Sequence, residues 1–265
     1  MMLVPTQERL RALGLTAMAD EWLRQQHDPA LAPLSFDDRL GLLVDAEWLV
    51  RENRRLARRL QDAHFRLPAT PEGIDYRVPR QWNAAVVRQL TQAVWVGQHQ
   101  TVLVTGPTGV GKSYLVCALG HAACRRNFRV RYYRVPRLLA DGVVAKQEGT
   151  WFRWLRQLMR YDLLILDDWA VHPLTPEESR DLLEILDDRY QVRATAIASQ
   201  VPAARWHEWF PDPTVADAVL DRVIHHAYHV AMQGESMRKV LPNRGESATT
   251  GPTSTAPSGG QDLSD

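Results

Sequence analysis

The stretch TVLVTGPTGVGKSYL, Thr101 to Leu115, constrains the fold more than any other part of the chain. A short apolar run leads into Gly106-Pro107-Thr108-Gly109-Val110-Gly111-Lys112-Ser113, which satisfies G-x-x-x-x-G-K-[ST] in full, and a helical pattern begins at once. Glycines let the backbone curl until several N–H groups converge on one phosphate, and the helix N-terminus adds partial positive charge. Such a loop needs a strand behind it and a helix ahead of it. The expected nucleotide-contacting set is therefore Gly106, Pro107, Thr108, Gly109, Val110, Gly111, Lys112, Ser113 and Tyr114, with Lys112 on the outer phosphates and the Ser113 hydroxyl on a magnesium ion.

The rest of the chain from Gln100 repeats the strand–helix alternation. KSYLVCALGHAACRRN reads as a helix, FRVRYYRV as a strand, YDLLILDDW as a buried strand and ATAIASQ as another. TPEESRDLLEILDDRYQ is a helix with Thr175 as N-cap, Pro176 at the first position and Glu178 at the third. This order predicts an α/β fold with a parallel sheet covered on both faces. Residues up to about 65 read instead as helices. TQERLRALGLTAMADEWLRQQ is one apolar-periodic run opened near Thr6, and Ser35 caps a second, longer run. LPATPEGIDYRVPRQW is a Pro-rich connector, and the Ser/Thr/Gly/Pro-rich end after Asn243 has too few apolar residues to offset the entropy of folding.

Two further strand ends carry chemistry. LLILDDW places Asp167 where it can hold magnesium, and Asp168 where it can polarise an attacking water. ATAIASQ ends in Ser199 and Gln200, a polar tip beside the phosphates. No stretch of eighteen apolar residues spans a membrane, and the start lacks a basic segment followed by an apolar core, so the expected location is cytoplasmic. Cys117 and Cys124, seven apart on one helix, read as a reduced pair. HHAYH, with His225, His226 and His229, lacks a fourth ligand and is not read as a zinc site.

The P-loop, the Asp-Asp strand and the polar strand tip, with the late segment VADAVLDRVIHHAYHVAMQGESMRK, resemble the AAA+ ATPases. With SFDDRLGLLVDAEWLVRENRRLARRL and IDYRVPR, the chain from about residue 5 to 242 resembles the IstB-like branch of the IstB/DnaC clade. The resemblance implies ATP and Mg2+ as cofactors and an AAA+ core with a reduced lid. It implies that Arg222 is an arginine finger acting on a neighbouring subunit's nucleotide, that Arg238 is a second sensor, and that Gln200 stands at the first sensor. Asp168 stands where a Glu is usual, which implies slow hydrolysis. The expected organisation is an N-terminal all-helical domain (1–66) for DNA binding or assembly, a connector (67–80), the AAA+ domain (81–242) and a disordered tail (243–265).

Net charge is only +1, so no global field favours nucleic acid, and of 32 basic residues only three are lysine, which weakens any argument from arginine clusters alone. Three regions compete as DNA contacts. Arg51, Arg54, Arg55 and Arg58 form a stripe on the long N-terminal helix, which reads equally as a solvated face. RRNFRVRYYRVPR interleaves arginines with aromatics but alternates like a buried strand, which favours a packing role. VVAKQEGTWFRWLRQLMR resembles an insertion helix of the initiator and loader relatives, which offers Lys146, Arg153 and Arg156 to duplex phosphates. Arg222 itself has a plainer reading, a helix arginine paired with a nearby acid.

The function implied is an ATP-dependent helper of transposition that assembles with itself on duplex DNA and serves a partner transposase. A helicase loader of the same clade, a small-molecule P-loop kinase and a non-hydrolysing nucleotide switch are the alternatives.

Overall fold

The computed structural model describes residues 3–225 and 227–237. The chain opens with helices α1 (Leu3–Ala12), α2 (Thr16–His27) and the long α3 (Phe36–Ala63), followed by the short α4 (Ala84–Leu90) and α5 (Val94–Gly97). Then come β1 (Thr101–Thr105), α6 (Lys112–Arg125), β2 (Val130–Arg134), α7 (Val135–Gln147), α8 (Trp151–Leu158), β3 (Leu163–Trp169), α9 (Pro176–Arg189), β4 (Ala194–Ser199), α10 (Pro213–Ile224) and β5 (Tyr228–Ala231).

All strand pairings are parallel, in the order β2-β3-β4-β1-β5. Both faces are buried, and the strand period of two sorts the side chains. Val102, Val104, Leu163, Ile165, Ala196 and Ala198 join the core under α6, whereas Leu103, Leu164, Leu166 and Ile197 join the core under α7, α9 and α10. Because β4 lies between β1 and β3, its tip separates the P-loop from the Asp-Asp end of β3.

Local signals explain most element ends. Ser35 Oγ accepts the Asp38 amide at 3.2 Å to open α3. Thr175 and Glu178 form a reciprocal capping box on α9. The N-terminal run expected as one helix is two. Gly14, at φ +74°, ends α1 with the Leu15 amide on the Leu10 carbonyl and its own amide on the Arg11 carbonyl. Apolar periodicity continues across this break, so periodicity alone does not reveal it. The helix also begins at Leu3 rather than at Thr6. α2 lacks a side-chain cap of its own; the half-turn is completed from α3, where Glu47 accepts the Met18 amide at 3.2 Å.

Strand β5 is a short edge strand that the sequence reading missed. Only Val230 of its four residues is buried, so no clear alternation marks it. Behind α9, Arg189 is almost fully buried and donates to the carbonyls of Leu158, Tyr161 and Ala194 at 2.7–3.1 Å, tying the end of α8, the turn before β3 and the start of β4 together. The end 243–265 lies outside the described residues. Among the described residues no helix is long and apolar enough to cross a membrane.

Cys117 and Cys124 are free and buried on the sheet-facing side of α6. Burial pushes their thiols up to about 11 and about 12. Because the thiolate is the nucleophile, alkylation of the folded chain at neutral pH is expected to be negligible over hours and rapid after denaturation. Mass spectrometry after iodoacetamide treatment checks this.

Candidate nucleotide site

The P-loop leaves the C-terminal end of β1 and enters α6 through three glycines at positive φ: Gly106 at +149°, Gly109 at +88° and Gly111 at +102°. All three positions are also crowded, Gly111 by Arg80 Nη1, which a Cβ there would approach to 2.6 Å. A Cβ at Gly106 would lie 2.1 Å from the Met232 carbonyl oxygen, and one at Gly109 would lie 2.1 Å from Ser236 Oγ. The segment after β5 therefore packs directly on the loop, with the Met232 amide on the Thr105 carbonyl (2.7 Å) and the Met237 amide on the Gly109 carbonyl (2.9 Å). Arg66, Leu67, Tyr114 and Met237 line a cavity of about 330 Å3 with Gly109, Gly111, Lys112 and Ser113.

Lys112 is buried, and its Nζ donates to the Pro107 carbonyl at 2.7 Å. Burial lowers its pKa, opposed by the negative charges of Asp167 and Asp168. The two acids thus sit within electrostatic reach of the P-loop lysine. They occupy the end of β3, where the register with β4 shifts between Leu166 and Trp169. Asp168 takes a left-handed φ of +56°. A bulge of this kind re-aims side chains at a strand end.

Asp167 is held on both oxygens. Tyr132 of β2 donates its hydroxyl to Oδ2 at 2.6 Å, and the Asp168 amide donates to Oδ1 at 2.9 Å. Asp168 is held by cations, with Arg134 Nε at 2.5 Å and Arg66 Nη1 at 3.7 Å. Gln200 stands beside the loop, its Oε1 accepting from Thr108 Oγ1 at 2.6 Å. Ser199 instead turns inward and donates to the Trp169 carbonyl at 2.8 Å. Trp169 is buried against Trp206, with ring centroids 5.3 Å apart.

Several supporting residues lie outside the motifs. Arg80, from the connector, is buried and donates to the Val110 carbonyl at 3.1 Å, while its own carbonyl accepts the Gln233 amide. It lies in IDYRVPR, but nothing in that string points to the P-loop. Tyr132 was readable only as a buried strand position; its partner Asp167 is 35 residues away. Arg66 and Arg134 carry no sequence signal for their contact with Asp168.

Arg222 lies elsewhere. It lines a cavity with Thr101 and Thr195, the first residue of β1 and the second of β4, at the N-terminal end of the sheet. The P-loop leaves the opposite end. The five residues of β1 separate the two by about 16 Å, more than an arginine side chain spans. Within the chain its Nε pairs with Asp187 of α9 at 2.5 Å, and its Nη1 donates to the Ala218 carbonyl. The sequence-expected Arg238 lies outside the described residues. So does His226; His225 pairs with Asp221 at 3.2 Å, and His229 is an exposed residue of β5.

The DNA candidates divide. Lys146 is paired within the chain. Its Nζ sits on Asp181 at 2.5 Å and on Glu177 at 3.1 Å, and over the Trp151 ring at 4.9 Å, so its charge is neutralised against α9. The segment around it is not one insertion helix but the end of α7, a turn at Gly149 (φ +67°) and α8. Arg153 and Arg156 remain exposed on α8. On α3, Arg51 pairs with Glu47 and donates to the Gly14 carbonyl, and Arg55 pairs with Glu52, so the expected stripe is half neutralised. Arg54 and Arg58 are exposed.

A glycine-rich loop at the tip of β1, two carboxylates at the tip of β3 and Gln200 just past the end of β4 form a P-loop nucleotide site on an AAA+-type fold. Solved structures agree on the fold. DnaI superposes with a TM-score of 0.54 at 18% identity, covering 62% of this chain and 91% of that one. AMPPCP-bound DnaA from Aquifex aeolicus gives 0.53 at 19%, covering 66% and 53%. The chain belongs to the IstB-like ATP-binding protein family, whose profile matches residues 8–244. A Sinorhizobium fredii protein named for an insertion sequence and for ATP binding is 45% identical over 89% of this chain and 96% of that protein. A similarly named Pseudomonas fluorescens protein of the insertion sequence IS1162 is 39% identical over 81% and 99%. The Pseudomonas aeruginosa relative, from IS21, is 34% identical over 87% and 86%.

Proposed function

We propose that the chain is an ATP-hydrolysing helper of DNA transposition. It assembles with copies of itself when ATP is bound, holds duplex DNA with little sequence preference, and delivers that DNA to a partner transposase. The position of Arg222 carries this reading: it is too far from its own P-loop to reach it, so if it serves a transferring phosphoryl it does so on the nucleotide of a second chain. The site is complete only between subunits, and ATP then acts as the signal for assembly. Relatives named for insertion sequences support the link to transposition.

Ser113 and Asp167 offer the hard oxygen donors that magnesium requires, and the buried carboxylate beside Lys112 suits a dication on the phosphates. Magnesium would neutralise phosphate charge there. Asp168 serves the attacking water once Arg134 and Arg66 release it. Gln200, linked to the P-loop through Thr108, orients that water. Arg238 is proposed as the phosphate contact from the same chain.

Tyr132→Phe removes the hydroxyl that holds Asp167. An outer-shell loss of this kind is expected to raise the magnesium needed for half-maximal turnover by roughly 10-fold, with ATP affinity little changed. A magnesium titration of ATPase rate reads it.

Particle mass with ATP and magnesium, with and without random-sequence duplex, tests the whole reading. Assemblies that need ATP and grow on the duplex support it. A monomer unmoved by both overturns it.

A further inference from the structure

At the N-terminal end of the sheet a cavity of about 690 Å3 opens between α3 and edge strand β2. Helix α3 supplies Arg58 and Arg59. Arg129 and Arg131 come from the start of β2, and Arg160 from the turn after α8. The two basic clusters that compete in the sequence thus meet in one cleft. Its lining holds a single carboxylate, Asp62.

Several arginines elsewhere sit on an acid, among them Arg51, Arg55, Arg125, Arg134, Arg205 and Arg222, whereas others among the described residues, such as Arg54, Arg126, Arg153 and Arg156, do not; what sets the cleft apart is the convergence of five arginines in one concavity. Among the described residues none of the five cleft arginines has a carboxylate within ion-pair distance. Arg131 is fixed in place, with its guanidinium 5.0 Å from the Tyr133 ring and 5.9 Å from the Tyr161 ring, and Nη1 on the Asp62 carbonyl at 3.0 Å. Its Nε is buried and has no partner. Five like charges in one concavity repel one another, and an anion in the cleft relieves that repulsion.

We propose that this cleft grips the phosphodiester backbone of DNA; the inference rests on the reading of the chain as a DNA-binding assembly and locates that contact. Guanidinium forks match phosphate oxygens in pairs. The lining is almost wholly polar and cationic, with Val130 its only aliphatic residue and Asp62 its only acid, which suits a polyanion. Arg153, Arg156 and Arg160, spaced by three and four, extend the basic track from the cleft along α8. No base-reading geometry is needed, so binding is insensitive to sequence.

The test uses the full chain with magnesium and a non-hydrolysable ATP analogue, and a labelled random-sequence duplex titrated across salt. Arg129→Ala/Arg160→Ala removes two exposed side chains that make no hydrogen bond among the described residues, so folding is preserved, and unchanged nucleotide affinity checks it. Arg137→Ala/Arg205→Ala removes the same charge elsewhere. The cleft variant is expected to bind the duplex roughly 10- to 100-fold more weakly, with a salt slope shallower by about 2, and the control to match the parent protein. Equal affinity and slope in cleft variant and parent overturn the cleft while leaving the DNA-binding reading intact, as does an equal loss in the control. A parent protein that ignores the duplex overturns the reading itself. Binding of labelled poly-glutamate in its place, lost in the cleft variant, assigns the cleft to an acidic protein and overturns the proposal.

Discussion

Lys112→Ala is expected to leave the chain folded and to weaken ATP binding by about 100-fold. The side chain is buried at the mouth of α6, where its ammonium folds back onto the Pro107 carbonyl. That contact is one hydrogen bond made at the cost of burying a charge, so its loss takes little from the fold. Against a triphosphate the same ammonium is a desolvated cation on a polyanion. Loss of a charged hydrogen-bonding partner of this kind costs roughly 3 kcal/mol, or about 100-fold in affinity. Isothermal titration with ATP reads the loss, and thermal unfolding without nucleotide shows whether the fold survives. ATP affinity within a few-fold of the parent protein would remove Lys112 from the site.

Arg222→Ala is expected to keep ATP affinity and lose turnover by roughly 1,000-fold or more, the range for an arginine supplied to a transferring phosphoryl. The competing role is visible in the structure: Arg222 pairs with Asp187 and so joins α10 to α9. An exposed pair of this kind contributes about 1 kcal/mol or less, too little to account for such a loss of rate. Two further variants separate the roles. Arg222→Lys keeps a cation for Asp187 but loses the planar fork, so it restores a tie between helices and not a finger. Asp187→Ala breaks the tie and leaves the finger, so turnover persists if Arg222 acts in trans. Steady-state ATPase rates with duplex DNA present check all three.

What was legible in the sequence is what each segment encodes by itself. The P-loop spells its turn in glycines, β3 ends its apolar run in two acids, and α9 announces its start with Thr175, Pro176 and Glu178. The parallel sheet follows from the alternation of these pieces. What was not legible depends on chain crossings. Tyr132 reaches Asp167 only because β2 lies beside β3, and Arg80 reaches the P-loop only because the connector passes beneath the loop. Lys146 looked available in a basic, aromatic segment, yet α9 brings Asp181 and Glu177 to it. Gly14 sits in an unbroken apolar pattern, so only its backbone conformation reveals the break. The basic clusters of α3 and β2 read as rivals, because nothing local says that the two elements touch.

The central claim is that one chain's Arg222 serves another chain's nucleotide. Mixing the two inactive proteins tests it most directly. At an ATP concentration that fills the parent site, Lys112→Ala is left largely empty but still carries the finger; Arg222→Ala holds ATP but carries none. Each alone is expected to be inert. Combined with ATP, magnesium and duplex DNA, they are expected to regain turnover, because an intact finger then meets an occupied site across the interface. A mixture that co-assembles yet stays as inert as its parts would contradict the account.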